Sequence, residues 1–179
     1  MGEHIFYLQR VETRGLPVAD SQDDATHQYV ERSLHGPCFV CAILEGTPGY
    51  PHHDVYEDDD VIAFFVRRPT MLGHTIVAPK RHVESWVEDL TESEFLAFQR
   101  HVRRIAVAIS AEVPTERMYS LSLGSAQGNA HLHWHLAPLA PGVPYEHQQF
   151  HALSADAGVL DIDEESQSRL ASRIRRLLQ

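Results

Sequence analysis

The most informative stretch of this chain is His131-Leu132-His133-Trp134-His135-Leu136-Ala137, in which histidines alternate with apolar residues and Pro138 follows. Successive side chains of an extended strand point to opposite faces. The alternation therefore predicts a β-strand that turns Leu132, Trp134 and Leu136 toward a core. The three histidines would form a row on the other face, about 6.6–7 Å apart.

Imidazole is the side chain best suited to attack an electrophile, move a proton or bind a metal near neutral pH. This chain has thirteen histidines, so a simpler interpretation is the polar outer face of an ordinary strand. Three histidines in strict alternation favour a functional site over that alternative.

The only two cysteines form a second motif, Cys38-Phe39-Val40-Cys41. Two cysteines at this spacing are typical of metal or redox chemistry more than of a disulfide framework. Two thiolates would leave two positions of a tetrahedral metal site for other side chains. The alternative is a pair of reduced, buried thiols, which is also common.

Composition limits the class of protein. A chain of 179 residues fits one domain or one domain with extensions. Twenty-five acidic against fifteen basic residues give a formal net charge of −10, which argues against nucleic acid or an anionic membrane as a partner. No apolar run reaches the roughly 18 residues of a membrane helix, and the start, Met1-Gly2-Glu3-His4, does not resemble a secretory signal. We therefore expect a cytoplasmic protein.

Residues 91–113 carry the clearest helical pattern. Thr91 and Glu94 match a capping box, and Pro114 ends the helix. An apolar stripe at helical spacing is predicted to face the core; its members are Phe95, Leu96, Phe98, Val102, Ile105, Ala106 and Ile109.

The remaining pattern predicts mainly short strands joined by turns. Further helices are expected at 20–34, at 38–45 and at 166–178, the last with Leu170, Ile174 and Leu177 inward. The strand before the histidines should pair with them as a hairpin. Strands with one long helix indicate an α+β domain; the strands are predicted at 55–57, 61–66, 75–78 and 118–123.

The histidine stretch resembles the signature of the histidine triad (HIT) superfamily of nucleotide hydrolases and transferases. Residues 37–46, 55–64 and 73–82 resemble other parts of the family domain, in the family's order. The resemblance implies a HIT-like domain at 37–140, with an N-terminal extension at 1–36 and a C-terminal extension at 141–179. It also implies an antiparallel sheet of about five strands, helices packed on one side, and a homodimer.

The resemblance further implies a reaction. The middle histidine, His133, would attack the α-phosphate of a nucleotide and form a covalent nucleotidyl-histidine. His135 would hydrogen-bond the phosphate or the bridging oxygen, and His131 completes the triad. A dinucleoside polyphosphate or a nucleoside phosphoramidate would be the substrate.

Binding residues follow from the same resemblance. Gln127, Gly128 and Asn129 would cradle the phosphate. Four apolar residues would form the base pocket, although each is equally plausible as ordinary core; they are Phe39, Val40, Ile43 and Phe64.

Two positions depart from the family pattern. Val66 stands where relatives often carry Asp or Asn for the ribose, and valine cannot accept a hydrogen bond. Gly128 replaces a Ser or Thr that donates to phosphate in many relatives. These departures motivate a nucleotide-binding sensor with little catalysis as a second hypothesis. The acidic surface and the extensions motivate a third, a zinc-stabilised interaction module.

The resemblance to zinc-containing bacterial members also implies the ligands of a structural Zn²⁺ ion. They would be Cys38, Cys41, His82 and His131. Two thiolates and two imidazoles suit Zn²⁺ in a closed tetrahedral site. His131 would then bind the metal, and His133 and His135 would face the phosphate.

Overall fold

Five strands form one open antiparallel sheet in the computed structural model, which describes residues 22–124, 127–155 and 158–179. Residues 1–21, the first part of the predicted N-terminal extension, lie outside the described residues. The strands are β1 (Asp54–Glu57), β2 (Val61–Phe65), β3 (Thr75–Pro79), β4 (Arg117–Leu121) and β5 (Trp134–Leu139). Their order across the sheet is β1-β2-β3-β5-β4.

Five α-helices accompany this sheet in the described part of the chain. They are α1 (Gln22–His35), α2 (Phe39–Leu44), α3 (Glu92–Glu112), α4 (Phe150–Leu153) and α5 (Glu164–Arg176). Two short 3-10 turns lie at Gln127–Asn129 and Tyr145–His147. The predicted α+β class is therefore confirmed. Among the described helices, none combines the length and the apolar character needed to cross a bilayer.

Alternation along the strands produces two cores. On β2, Val61, Ala63 and Phe65 face the helices α3 and α5. Ile62 and Phe64 point to the other face, where α2 packs against them. Helices α3 and α5 thus lie on one side of the sheet, as expected, and the short α2 covers part of the other side.

The capping box predicted for α3 is present. The Thr91 side chain accepts a hydrogen bond from the Glu94 backbone N–H, and the Glu94 carboxylate accepts one from the Thr91 N–H. One member of the predicted stripe is wrong, because Leu96 is 48% exposed. It lies about half a turn around the helix from the buried Phe98 and Ile105.

The predicted C-terminal helix is present as α5, with Leu170 and Ile174 buried. The inward assignment of Leu177 is wrong, because this residue is 53% exposed. The helix ends at Arg176, so Leu177 leaves the helical face, and Leu178 takes the buried position against the sheet.

The predicted row of three histidines on one strand is wrong in part. Strand β5 begins only at Trp134, so His131 and His133 belong to the irregular segment before it. There the Leu132 N–H donates to the Val83 carbonyl at 2.7 Å, which holds the segment beside the end of β3. Only His135 lies on the strand, paired with Ile76 of β3. The three histidines therefore do not form one row, and they can belong to two different sites.

Candidate active site and metal centre

Cys38, Cys41, His82 and His131 come together although they lie on three separate segments. Their ligand atoms all lie within 4.8 Å of one another, so these side chains could hold a metal ion. His131 Nδ1 lies 3.3 Å from the Cys38 sulfur, and His82 Nδ1 lies 3.3 Å from the Cys41 sulfur. Helix α2 sets the thiol spacing, since Cys38 caps its N-terminus and accepts from the Cys41 N–H. The predicted four-residue cluster is confirmed.

Hydrogen bonds to the far nitrogens orient both imidazoles of this cluster. His131 Nε2 donates to the Pro79 carbonyl at 2.8 Å. Because a carbonyl can only accept, the neutral ring carries its proton on Nε2 and turns the Nδ1 lone pair toward the thiols. His82 Nε2 lies 3.3 Å from the Glu84 carboxylate, which favours the same tautomer. Partners of this kind fix the orientation of histidines that bind metals.

The neutral state of one imidazole in this cluster also fits a metal site. Burial is the largest cause that lowers the pKa of His131 to about 4, so the ring is neutral at pH 7. Burial and the neighbouring Cys38 raise the pKa of Cys41 to about 11. A bound cation would reverse the second effect, because it stabilises thiolates. Metal binding at this cluster should therefore release protons from the cysteines.

Glu84→Gln is expected to weaken metal binding by roughly 10- to 100-fold without abolishing it. The amide keeps the shape of the side chain but removes the charge that holds the His82 Nε2–H. Competition with a chromophoric chelator would measure the affinity, and Glu88→Gln, on an exposed residue nearby, is the matched control. Equal affinities in the wild type and Glu84→Gln would contradict the role of this carboxylate.

His133 is held by its own backbone. Its Nδ1 lies 2.6 Å from the His131 carbonyl and must donate to it. The neutral ring therefore keeps a lone pair on Nε2. Burial lowers the pKa of His133, so this form persists at neutral pH. The side chain is only 1% exposed, and its ring meets Phe39 and His135 edge-on at centroid distances of 5.2 and 5.0 Å.

His135 lies next to a further histidine that the sequence interpretation did not assign. His135 Nδ1 is 3.2 Å from His74 Nε2, and both rings are largely buried. His74 Nδ1 has no hydrogen-bond partner among the described residues. An unpaired buried acceptor is tolerated better than an unpaired N–H, so we assign the proton to His74 Nε2. His74 then donates to His135, which presents its own Nε2–H.

The two buried rings should make stability depend on pH. Burial lowers the pKa of His74 to about 4 and that of His135 to about 3, against about 6.5 in an unfolded chain. Stability is full above pH 6.5 and decreases as the pH falls, because the unfolded chain takes up protons that the folded rings refuse.

We expect His74→Gln to make the fall in melting temperature between pH 6.5 and 4 shallower than in the wild type. Thermal unfolding followed by circular dichroism at stepped pH values measures this slope. The exposed His27 supplies the control variant, His27→Gln, which should keep the wild-type slope. Identical slopes in the wild type and His74→Gln would contradict the assignment.

The predicted phosphate residues form the 3-10 turn Gln127–Asn129 shortly before the histidines, with Gly128 buried inside it. Gly124 also packs closely in this region, since a Cβ there would lie 2.9 Å from the Asn129 carbonyl oxygen and 3.8 Å from His133 Cε1. The turn Gln127–Asn129 and the His133 ring therefore both lie close to the backbone at Gly124.

The residues predicted for the base pocket gather between α2 and the sheet. Val40, Ile43 and Phe64 are buried in the core there, and Phe39 is half-buried between Phe64 and His133. The predicted ribose position, Val66, packs against the same apolar cluster.

His74 is the main residue that the sequence did not assign. It directly precedes β3 and lies in the stretch 73–82 that resembles part of the family domain. Its partner His135 is 61 residues away, and the two rings meet because β3 pairs with β5. Only that pairing could have revealed the contact.

The fold and the site together define an α+β domain centred on buried histidines. Comparisons with known proteins identify the family of this domain. Residues 48–142, more than half of the chain, match the model of the HIT domain. An uncharacterised HIT-like protein of Saccharolobus solfataricus is 32% identical over 105 residues, which cover 56% of this chain and 73% of that protein. The protein named hit of Bacillus subtilis is 33% identical over 104 residues, covering 56% and 70%. The chain belongs to the HIT family.

Solved structures agree on the fold. A hypothetical histidine triad nucleotide-binding protein of Sulfolobus tokodaii superposes with a TM-score of 0.62 at 26% identity, covering 79% of this chain and 91% of that one. A Zn-bound histidine triad family protein of Mycobacterium smegmatis gives 0.57 at 24% identity, covering 79% and 92%. Family membership supports, in general terms, a nucleotide-binding hydrolase or transferase.

Proposed function

We propose that this protein is a nucleotide hydrolase or transferase that works through a covalent nucleotidyl-His133 intermediate. The substrate would be a dinucleoside polyphosphate or a nucleoside phosphoramidate, attacked at its α-phosphate. The observation that carries the proposal is the hydrogen bond from His133 Nδ1 to the His131 carbonyl, which leaves the Nε2 lone pair for attack.

The proposed reaction divides one displacement into two. His133 Nε2 attacks the α-phosphorus, a P–N bond forms, and the bond to the leaving group breaks; the leaving group departs with the electron pair of that bond and takes up a proton from solvent. Water or another acceptor then attacks the same phosphorus, loses a proton to solvent, breaks the P–N bond and returns neutral His133 with release of the nucleotide. His135, which receives a hydrogen bond from His74, would donate its Nε2–H to the phosphate or the bridging oxygen.

We further propose that Cys38, Cys41, His82 and His131 hold a structural Zn²⁺ ion. The donor set of two sulfurs and two imidazole nitrogens suits zinc, and the histidine triad protein of M. smegmatis is described as Zn-bound. Zinc would supply a rigid anchor for His131, whose carbonyl orients His133. No activation of water by the metal is required.

The resemblance also leads us to propose a homodimer in the cytoplasm. Light scattering coupled to size-exclusion chromatography would test the first part, with twice the chain mass as the expected result. A mass of one chain at micromolar concentration would overturn it.

A second candidate is a nucleotide-binding sensor with little catalysis. Two observations favour it: His133 is only 1% exposed, and Val66 offers no acceptor for the ribose hydroxyls. Attack requires the phosphorus to come within about 3–3.5 Å of His133 Nε2. Because the His133 ring is buried, this approach is difficult, which favours nucleotide binding without catalysis.

A substrate panel separates the two candidates. Adenosine 5′-phosphoramidate and a diadenosine polyphosphate would be incubated with the protein, with and without inorganic phosphate, and the products resolved by chromatography. We expect release of the nucleoside monophosphate from both substrates, together with the remaining nucleotide as the leaving group of the dinucleoside polyphosphate. From the phosphoramidate, the nucleoside diphosphate should appear only if inorganic phosphate acts as the acceptor. Nucleotide binding in calorimetry without any product over hours would overturn the catalytic proposal in favour of the sensor.

A further inference from the structure

Helix α1, which precedes the matched HIT domain, packs directly on the candidate phosphate turn. A Cβ atom at Gly128 would lie 2.3 Å from the Arg32 carbonyl oxygen and 3.3 Å from the Pro37 carbonyl oxygen. Both neighbours are backbone atoms that cannot move aside independently. The glycine therefore permits α1 and the segment after it to rest against the turn.

A side-chain contact reinforces this packing. Asn129 Nδ2 donates to the Tyr29 hydroxyl oxygen at 3.4 Å, between residues 100 positions apart. Tyr29 stands one helical turn before Arg32, so both contacts come from the last part of α1. The turn is thus held at two of its three residues by the same helix.

The end of α1 also leads straight to the metal cluster. The Gly36 N–H donates to the Arg32 carbonyl, and only Gly36 and Pro37 separate α1 from Cys38. A Cβ at Gly36 would lie 2.6 Å from that same carbonyl oxygen. The connection is therefore short and tightly packed, and α1 is fixed between the cluster and the turn.

We propose that α1 is a built-in positioning element of the phosphate site and that Tyr29 is a positioning residue for Asn129. This inference rests on the proposed function, because it assumes that the turn Gln127–Asn129 holds the phosphate. It also explains why Gly128 lacks the hydroxyl found in many relatives: any side chain at this position would displace α1. The backbone of the turn, placed by α1, then takes over the contact to phosphate.

Tyr29→Phe tests the hydrogen bond alone. We expect kcat/KM for adenosine 5′-phosphoramidate to fall about three- to tenfold, mostly through KM, because the turn holds the phosphate before chemistry begins. Gly128→Ala should lower kcat/KM roughly a hundredfold, as expected when a binding element is displaced by about 1 Å. Tyr145→Phe is the matched control, since this exposed tyrosine accepts a comparable hydrogen bond from Gln149 far from the turn.

A double-mutant cycle distinguishes positioning from a general loss of stability. Tyr29→Phe should have no further effect on KM once Asn129→Ala is present, and the metal content should stay at the wild-type value in all variants. Effects of Tyr29→Phe and Asn129→Ala that simply multiply, or a Tyr29→Phe enzyme equal to Tyr145→Phe, would overturn the inference.

Failure of the proposed function would look different. A wild-type protein that binds adenosine 5′-monophosphate without turnover overturns the catalytic proposal, and the same cycle is then read from the Kd of this nucleotide in calorimetry. We expect the same pattern of coupled losses there. Wild-type protein that neither turns over nor binds the monophosphate overturns both proposals.

Discussion

His133→Asn is expected to lower kcat/KM by about 10⁴-fold or more. The asparagine amide can still donate to the His131 carbonyl, which His133 Nδ1 contacts at 2.6 Å. It offers no nitrogen able to attack phosphorus. The substitution thus removes the nucleophile while it keeps the hydrogen bond that holds the segment in place. Steady-state kinetics with the phosphoramidate substrate would measure the loss.

A matched histidine provides the control for this experiment. His151 contacts His147 at 3.1 Å, as His135 contacts His74, but it lies on α4 outside the candidate site. His151→Asn should keep kcat/KM within about twofold of the wild type, and both variants should keep the wild-type circular dichroism spectrum. More than a tenth of the wild-type activity in His133→Asn would rule out this residue as the nucleophile.

Loss of the metal is expected to have the second largest effect, on stability. The purified protein should contain one zinc ion per chain, and Cys41→Ala should contain none, because three remaining ligands hold zinc far more weakly. The melting temperature should fall by roughly 10 °C, since binding free energy at a structural zinc site contributes directly to folding. Elemental emission and differential scanning calorimetry measure the two quantities.

A chelator separates metal loss from the effect of the substitution itself. Treatment with a strong chelator should lower the melting temperature of the wild type toward that of Cys41→Ala and should leave the variant unchanged. Zinc-free wild-type protein with the same melting temperature as the untreated preparation would contradict a structural zinc at Cys38, Cys41, His82 and His131.

Local signals in the sequence predicted a large part of the fold. The capping box of Thr91 and Glu94 located the start of α3, and the apolar spacing located α5. The assignments of Leu96 and Leu177 failed for local reasons, since one lies on the outer side of its helix and the other follows the last helical residue. Such details depend on how a helix is rotated against the sheet, which periodicity alone does not fix.

Contacts between distant segments could be predicted only through the resemblance. The two thiols and two imidazoles come from α2, the segment after β3 and the segment before β5, and residue spacing alone did not bring them together. The pairing of His74 with His135 depends on the β3–β5 register. The sequence identified Gly128 as a departure from the family pattern. The physical reason is that a Cβ at this residue would lie 2.3 Å from the Arg32 carbonyl oxygen, and this contact could be found only once the position of α1 was known.

The covalent intermediate is the central claim, and rapid-quench mass spectrometry tests it most directly. Protein mixed with adenosine 5′-phosphoramidate and quenched in base within milliseconds should gain the mass of one nucleotidyl group, on the peptide that contains His133. The adduct should be lost in acid, and His133→Asn should never form it. Full turnover by the wild type with no adduct at any quench time, or an adduct that persists in His133→Asn, would contradict the account.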